Sequence, residues 1–89
     1  MLKKAKLSLR ITNDEFDTEI ADLIGACLLD LKMCGVNDAF LSLDTSDALI
    51  IQAVITYCKA NFGYDNPDAE RLREAYASLK NFLAIVYRK

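Results

Sequence analysis

Apolar residues recur along the chain at helical spacings. Phe16, Ile20, Leu23, Ile24, Cys27, Leu28, Leu31 and Cys34 return every three or four positions, which predicts an amphipathic helix over 13–34. Thr12-Asn13-Asp14-Glu15 ahead of it reads as a capping box with Thr12 as N-cap. Gly35 suits a left-handed C-cap. Asp22, Gly25, Ala26 and Asp30 fall off the apolar stripe. A mid-helix glycine costs about 1 kcal/mol against alanine, so Gly25 suggests that another backbone approaches closely there, within the fold or from a neighbour.

The other stretches are less uniform. The start of the chain fits a helical stripe through Leu2 and Leu9, and also a strand through Leu7, Leu9 and Ile11. With no second strand to pair with, a short helix over 2–10 is the better reading. Residues 36–46 make a loop that is unusually apolar, holding Phe40, Leu41 and Leu43, so it either tucks onto the core or docks on a partner. A third helix over 47–62, N-capped by Ser46, is apolar around most of its circumference, with Gln52, Thr56 and Lys59 on one narrow stripe. Such a helix must be central or must also meet another subunit. Gly63 ends it, and Asn66-Pro67 open a fourth helix over 67–87, with Asn66 as cap. Leu72, Tyr76, Leu79, Leu83 and Val86 form a short heptad-like seam on this helix, and Phe82, Ile85 and Tyr87 add a second apolar face to its last turns. The expectation is an all-α fold: one domain over 1–89, a small bundle of about four helices with a long C-terminal one. Two apolar faces at one helix end are more than a small monomer buries, which points to a partner.

Composition narrows the chemistry. With 89 residues there is room for one domain, and a chain this short has a marginal core of its own. There is no histidine, which removes Ser/His/Asp and Cys/His catalytic sets and imidazole proton shuttles. The 3 glycines form no phosphate loop. Cys27, Cys34 and Cys58 are odd in number, form no C-x-x-C pair and follow no signal peptide, so they are expected to be reduced core thiols of a cytosolic protein. The longest apolar stretch, 48–62, is broken by polar residues and too short for a bilayer. No cofactor or metal is implied.

The net charge of -2 hides an uneven distribution. Residues 1–10 carry +4, residues 11–70 carry -10, and residues 71–89 carry +4. The acids Asp14, Glu15, Asp17, Glu19 and Asp22 read as a capped, solvated helix start rather than a metal or hydrolytic carboxylate set. A pI of 4.9 argues against a duplex-binding protein.

The run Tyr57-Cys58-Lys59-Ala60-Asn61-Phe62-Gly63-Tyr64-Asp65-Asn66-Pro67-Asp68-Ala69-Glu70-Arg71, continuing to Tyr76, Leu79 and Lys80, resembles the second half of small head–tail connector proteins of tailed bacteriophages and prophages. Leu9-Arg10-Ile11-Thr12 and the helix start at Asp14 look like that family's opening, and 48–55 like its buried helix. The resemblance spans nearly the whole chain; its most specific part is 61–71. It implies an all-α structural protein without enzymatic activity or cofactor, made in the bacterial host cytoplasm and built into the virion at the capsid vertex. Such proteins form a ring, commonly twelve-fold, beneath the portal protein. The ring extends the DNA channel and meets a head-completion or tail protein; DNA is met only in passage, and no membrane is involved. The ending Ala84-Ile85-Val86-Tyr87-Arg88-Lys89, apolar and then basic, departs from the polar tails of many relatives.

Together with the surplus apolar surface and the charge split, this resemblance suggests roles for particular residues. Tyr57, Asn61, Phe62, Gly63, Tyr64, Asp65, Asn66 and Pro67 form the family's helix corner. Lys3, Lys4, Lys6, Tyr76, Leu79, Phe82, Leu83, Ile85, Val86 and Tyr87 are candidates for oligomer or portal contacts, with basic ends of one subunit meeting the acidic second helix of the next. A ring requires two unlike patches on each subunit. Asp22, Asp30, Asp38 and Asp44 are candidates to face the channel, where negative charge lets phosphates slide past. The alternative function is a small helix-turn-helix nucleic-acid regulator of a phage or prophage, using the corner between the third and fourth helices. The acids Asp68 and Glu70 at the start of its recognition helix argue against that.

Overall fold

The computed structural model describes residues 1–63 and 66–88. Tyr64, Asp65 and Lys89, which figure in the expected corner and basic end, lie outside the described residues. The fold is all-α, as the periodicity predicts: α1 (Leu2–Leu9), α2 (Asp17–Met33), α3 (Ala48–Asn61) and α4 (Ala69–Val86), with a 3₁₀ turn at Asp38–Phe40.

The helix cores match the expectation, but three of the expected caps do not. Thr12 does not cap α2. Asn13 Oδ1 instead accepts from the Glu15 amide at 3.0 Å, so 13–16 form turns and the helix begins at Asp17 without a side-chain cap. At α3 the cap is Asp47, one residue past Ser46, and its Oδ1 accepts from the Leu49 and Ile50 amides at 2.9 and 3.1 Å. Thr45 Oγ1 accepts from the Asp47 amide and holds it in place. A carboxylate beside the positive end of the helix dipole outdoes a serine hydroxyl there. Asn66 does not cap α4 either: its Oδ1 accepts from the Asp68 amide, and Pro67 and Asp68 lie in the turn that precedes Ala69.

The C-termini follow their local chemistry more closely. Gly35, at φ 109°, ends α2 as expected, with its own amide bonded to the Lys32 carbonyl and the Val36 amide to the Leu31 carbonyl. The same pair of bonds ends α1, but there the left-handed residue is Arg10 at φ 59°, the one non-glycine with positive φ among the described residues.

α3 touches all three other helices. Ile50, Ala53, Val54, Cys58 and Ala60 are buried along it, so the helix apolar on nearly every side is the central one. Its expected polar stripe is not uniformly exposed. Thr56 is buried, and its hydroxyl donates to the Gln52 carbonyl at 2.8 Å, which removes the cost of burying it. Ala5 of α1, Ile20, Ile24, Cys27 and Leu31 of α2, and Tyr76 and Leu83 of α4 complete one core. Val36 joins them from the loop and is fully buried, so this part of the loop tucks inward, while Leu43 remains 61% exposed.

Long-range contacts fix the directions of the helices. Phe16, at the start of α2, packs edge-on against Phe62, at the end of α3, with ring centroids 5.5 Å apart. Asp47 before α3 meets Tyr87 after α4. α3 therefore runs opposite to α2 and α4. Cys27 and Asp30 of α2 meet Tyr76 of α4, and Val36 bridges Arg88, so α2 and α4 run the same way. The molecule is only 18 Å across its thinnest direction, about two helices deep, which leaves each helix an outer face.

Candidate functional site

The corner between α3 and α4 is built by its own side chains. Asn61 Nδ2 donates to the Tyr57 carbonyl at 2.9 Å, and Asn66 Nδ2 donates to the Lys59 carbonyl at 2.6 Å, satisfying the last turn of α3. Gly63 has φ 84°, a left-handed conformation that favours glycine. The Tyr57 ring meets Tyr76 edge-on at 5.1 Å, and burial pushes the pKa of its phenol up, so it holds its proton more tightly. Asn61, Phe62 and Gly63 line, with Phe16 and Glu19, a surface depression of about 480 Å³. A neighbouring one of about 620 Å³ is lined by Glu15, Glu19 and Asp22 together with Phe16, Thr18, Leu23 and Asn61. These depressions bring acids and one aromatic pair together, with no cation in the lining among the described residues.

A second cluster ties α2 to α4. The Tyr76 hydroxyl donates to Asp30 Oδ2 at 2.7 Å, Lys80 Nζ lies 3.2 Å from the same oxygen, and the Cys27 thiol lies 3.6 Å from the Tyr76 hydroxyl. Burial first, and then the bond to the Asp30 carboxylate, push the Tyr76 phenol far up, so it stays a neutral donor. Burial pushes Cys27 up to about 12 and Cys58 to about 11, so neither supplies a thiolate nucleophile at neutral pH. All three thiols are free. Among the described residues, no three Cys, Asp or Glu side chains converge as a metal site, and no helix is long and apolar enough to cross a membrane.

These contacts sort the expected interface residues. Tyr76 and Leu83 are buried within the subunit, Leu79 packs against the core, and Tyr87 stacks on Phe40 with centroids 4.2 Å apart. The seam through Tyr76, Leu79 and Leu83 is therefore the inner face of α4, but Val86, expected to continue it, turns outward. Phe82, Ile85 and Val86 are 50%, 74% and 50% exposed and form the outer face. Lys6 is engaged at home, 2.9 Å from Asp14 and 2.7 Å from Asp17, which leaves Lys3 and Lys4 exposed on α1.

The four acids expected at a channel also divide. Asp30 is committed to Tyr76 and Lys80. Asp38 lies 3.8 Å from Lys32 in an exposed pair, and Asp22 and Asp44 are exposed.

Of the two neighbours expected at Gly25, the structure removes the one within the fold. A β-carbon built there meets nothing within 4 Å, so no backbone of the same chain approaches it. It borders an outer face of α2 on which Leu29 and Met33 are 56% and 80% exposed. The inward periodicity does not single out these two residues. The signal was their spacing of three and seven from Ala26, on the side away from the stripe.

The whole chain, residues 1–89, matches the family model described as phage connector protein. No curated protein and no solved structure matches it.

Proposed function

The chain belongs to the phage connector protein family, since that family's model covers residues 1–89, and on this premise we propose that it is a ring-forming structural subunit of the head–tail junction. One connector domain spans 1–89. It assembles with copies of itself, in a twelve-fold ring in the virion, beneath the portal protein at the capsid vertex. The ring prolongs the DNA channel and presents a surface to the head-completion or tail protein. Subunits are made in the bacterial host cytoplasm and need no cofactor.

One observation carries this reading: apolar side chains remain exposed on the outer faces of two separate helices. Leu29 and Met33 lie on α2, and Phe82, Ile85 and Val86 on α4. A bundle two helices deep has no further layer to cover them, and two unlike apolar patches are what a closed heterologous ring requires. Asp38 and Asp44, on the exposed loop between α2 and α3, are proposed to face passing DNA, where carboxylates repel phosphates and prevent sticking.

Light scattering and negative-stain microscopy of the purified protein, with and without purified portal protein, test the reading. The expected result is a discrete ring, formed alone or on the portal. A monomer under both conditions, with no change on adding portal protein, overturns it.

A further inference from the structure

We infer that the ring contact is a parallel pairing of the outer face of α2 on one subunit with the outer face of α4 on the next. This inference rests on the self-assembly reading above and adds the partner surface and its register. On α2, Asp22, Ala26, Leu29 and Met33 are all exposed and follow one another at intervals of four, three and four residues. On α4, Arg71, Ala75, Ser78 and Phe82 are all exposed and have the same intervals. That spacing keeps four residues on one stripe over about 16 Å of helix.

Laid side by side in the same direction, the two stripes complement each other at every level. Asp22 meets Arg71, small Ala26 meets small Ala75, Leu29 fills the space over Ser78, and Met33 meets Phe82. The small pair allows close approach where no large side chain intervenes. The large pair removes Met33, the most exposed apolar residue of the α2 face, and the half-exposed Phe82 ring from water. Asp22 has no ion-pair partner among the described residues. Among the described residues Arg71 pairs with the exposed Asp68 alone, at 3.5 Å, a surface pair that exchanges at little cost. Direction is consistent as well. α2 and α4 already run the same way within a subunit, so rotation about an axis along the bundle presents the α4 of one copy parallel to the α2 of the next.

Site-directed cross-linking tests this pairing. In a Cys34→Ser background, Met33→Cys protein is mixed with size-tagged Phe82→Cys protein at high concentration and treated with a short bismaleimide. The expected product is the mixed dimer, in large excess over either like dimer. Charge exchange is the companion measurement by light scattering. Asp22→Lys and Arg71→Glu should each raise the concentration at half-assembly roughly threefold to tenfold, and the double variant should restore it. Like dimers in excess, or failure of the double variant to recover while the native chain assembles, overturn this interface and leave ring formation standing. A native chain that remains monomeric alone and with portal protein overturns both.

Discussion

The hydroxyl of Tyr87 donates a 2.6 Å hydrogen bond to Asp47 Oδ2, so the residue that ends α4 is tied to the residue that caps α3. The bond holds the Asp47 carboxyl below its ordinary range and raises the Tyr87 phenol, both chiefly through this one contact. Because the folded carboxyl releases its proton more readily than the unfolded one, the contribution is present above the ordinary carboxylate range and is lost as pH falls through the folded value. Because the folded phenol holds its proton longer, the contribution is also present below about pH 10 and is lost as pH rises through the folded value. Urea unfolding of native and Tyr87→Phe protein should therefore show a gap that is flat across neutral pH and closes at both extremes. A gap that widens in acid contradicts the assignment.

Thiol reactivity should divide the cysteines in two. Cys27 and Cys58 are buried and pushed up to about 12 and about 11, whereas Cys34 is half-buried at the end of α2. Alkylation of the folded protein at pH 8 should modify Cys34 first and spare the other two until denaturant is added. Three equal rates, read by intact-mass spectrometry, would contradict the burial.

Gly25→Ala should stabilise the subunit. The added methyl meets nothing within 4 Å, and the helix loses its most flexible residue. The gain should be about 0.5–1 kcal/mol, seen as a Tm several degrees higher. A loss would mean that the outer face of α2 is occupied even in the isolated chain.

Arg10→Gly should also stabilise. Arg10 sits at φ 59°, where a β-carbon costs about 1–2 kcal/mol, and glycine's greater freedom when unfolded returns part of that. A net gain of about 0.5–1 kcal/mol in denaturant unfolding is expected. No gain would show that the Arg10 side chain itself contributes to the fold.

The two faces of α4 should separate cleanly under alanine substitution. Leu83→Ala opens a cavity in a fully buried site and should cost about 2–5 kcal/mol. Ile85→Ala, at a residue 74% exposed, should change monomer stability by under about 1 kcal/mol. Equal losses would place Ile85 in the subunit core rather than on its surface.

Helix existence and order were legible because apolar spacing reports burial directly. Ile20, Ile24, Cys27 and Leu31 all face inward as their intervals require. The termini were less legible because several nearby polar groups compete for the same free amides. Asp47 displaces Ser46, and Asn13 closes a turn that forestalls Thr12. Spacing also identified the α4 seam but not its mate: Tyr76 and Leu83 join the core of the same chain, with Tyr76 meeting both α2 and α3. An apolar stripe carries no label for which neighbour will cover it. Asp30 was missed as an internal ligand for the same reason, since its partners Tyr76 and Lys80 lie far along the chain. The outer face of α4 was partly legible, in Phe82 and Ile85, whereas that of α2 became visible only by subtraction, once the core had claimed its residues.

The bridge between Val36 and Arg88, with the Asn37 amide bonded to the Tyr87 carbonyl at 2.7 Å, closes a loop that spans most of the chain. Closing so long a segment carries an entropic cost that the adjacent α3–α4 hairpin does not bear. The clasp is thus expected to join late in folding, after the helices have docked, and to open first without dismantling them. Exchange at the Asn37 amide would time that opening. A subunit whose last residues release before its helices do can change its end on meeting a partner while keeping its body intact.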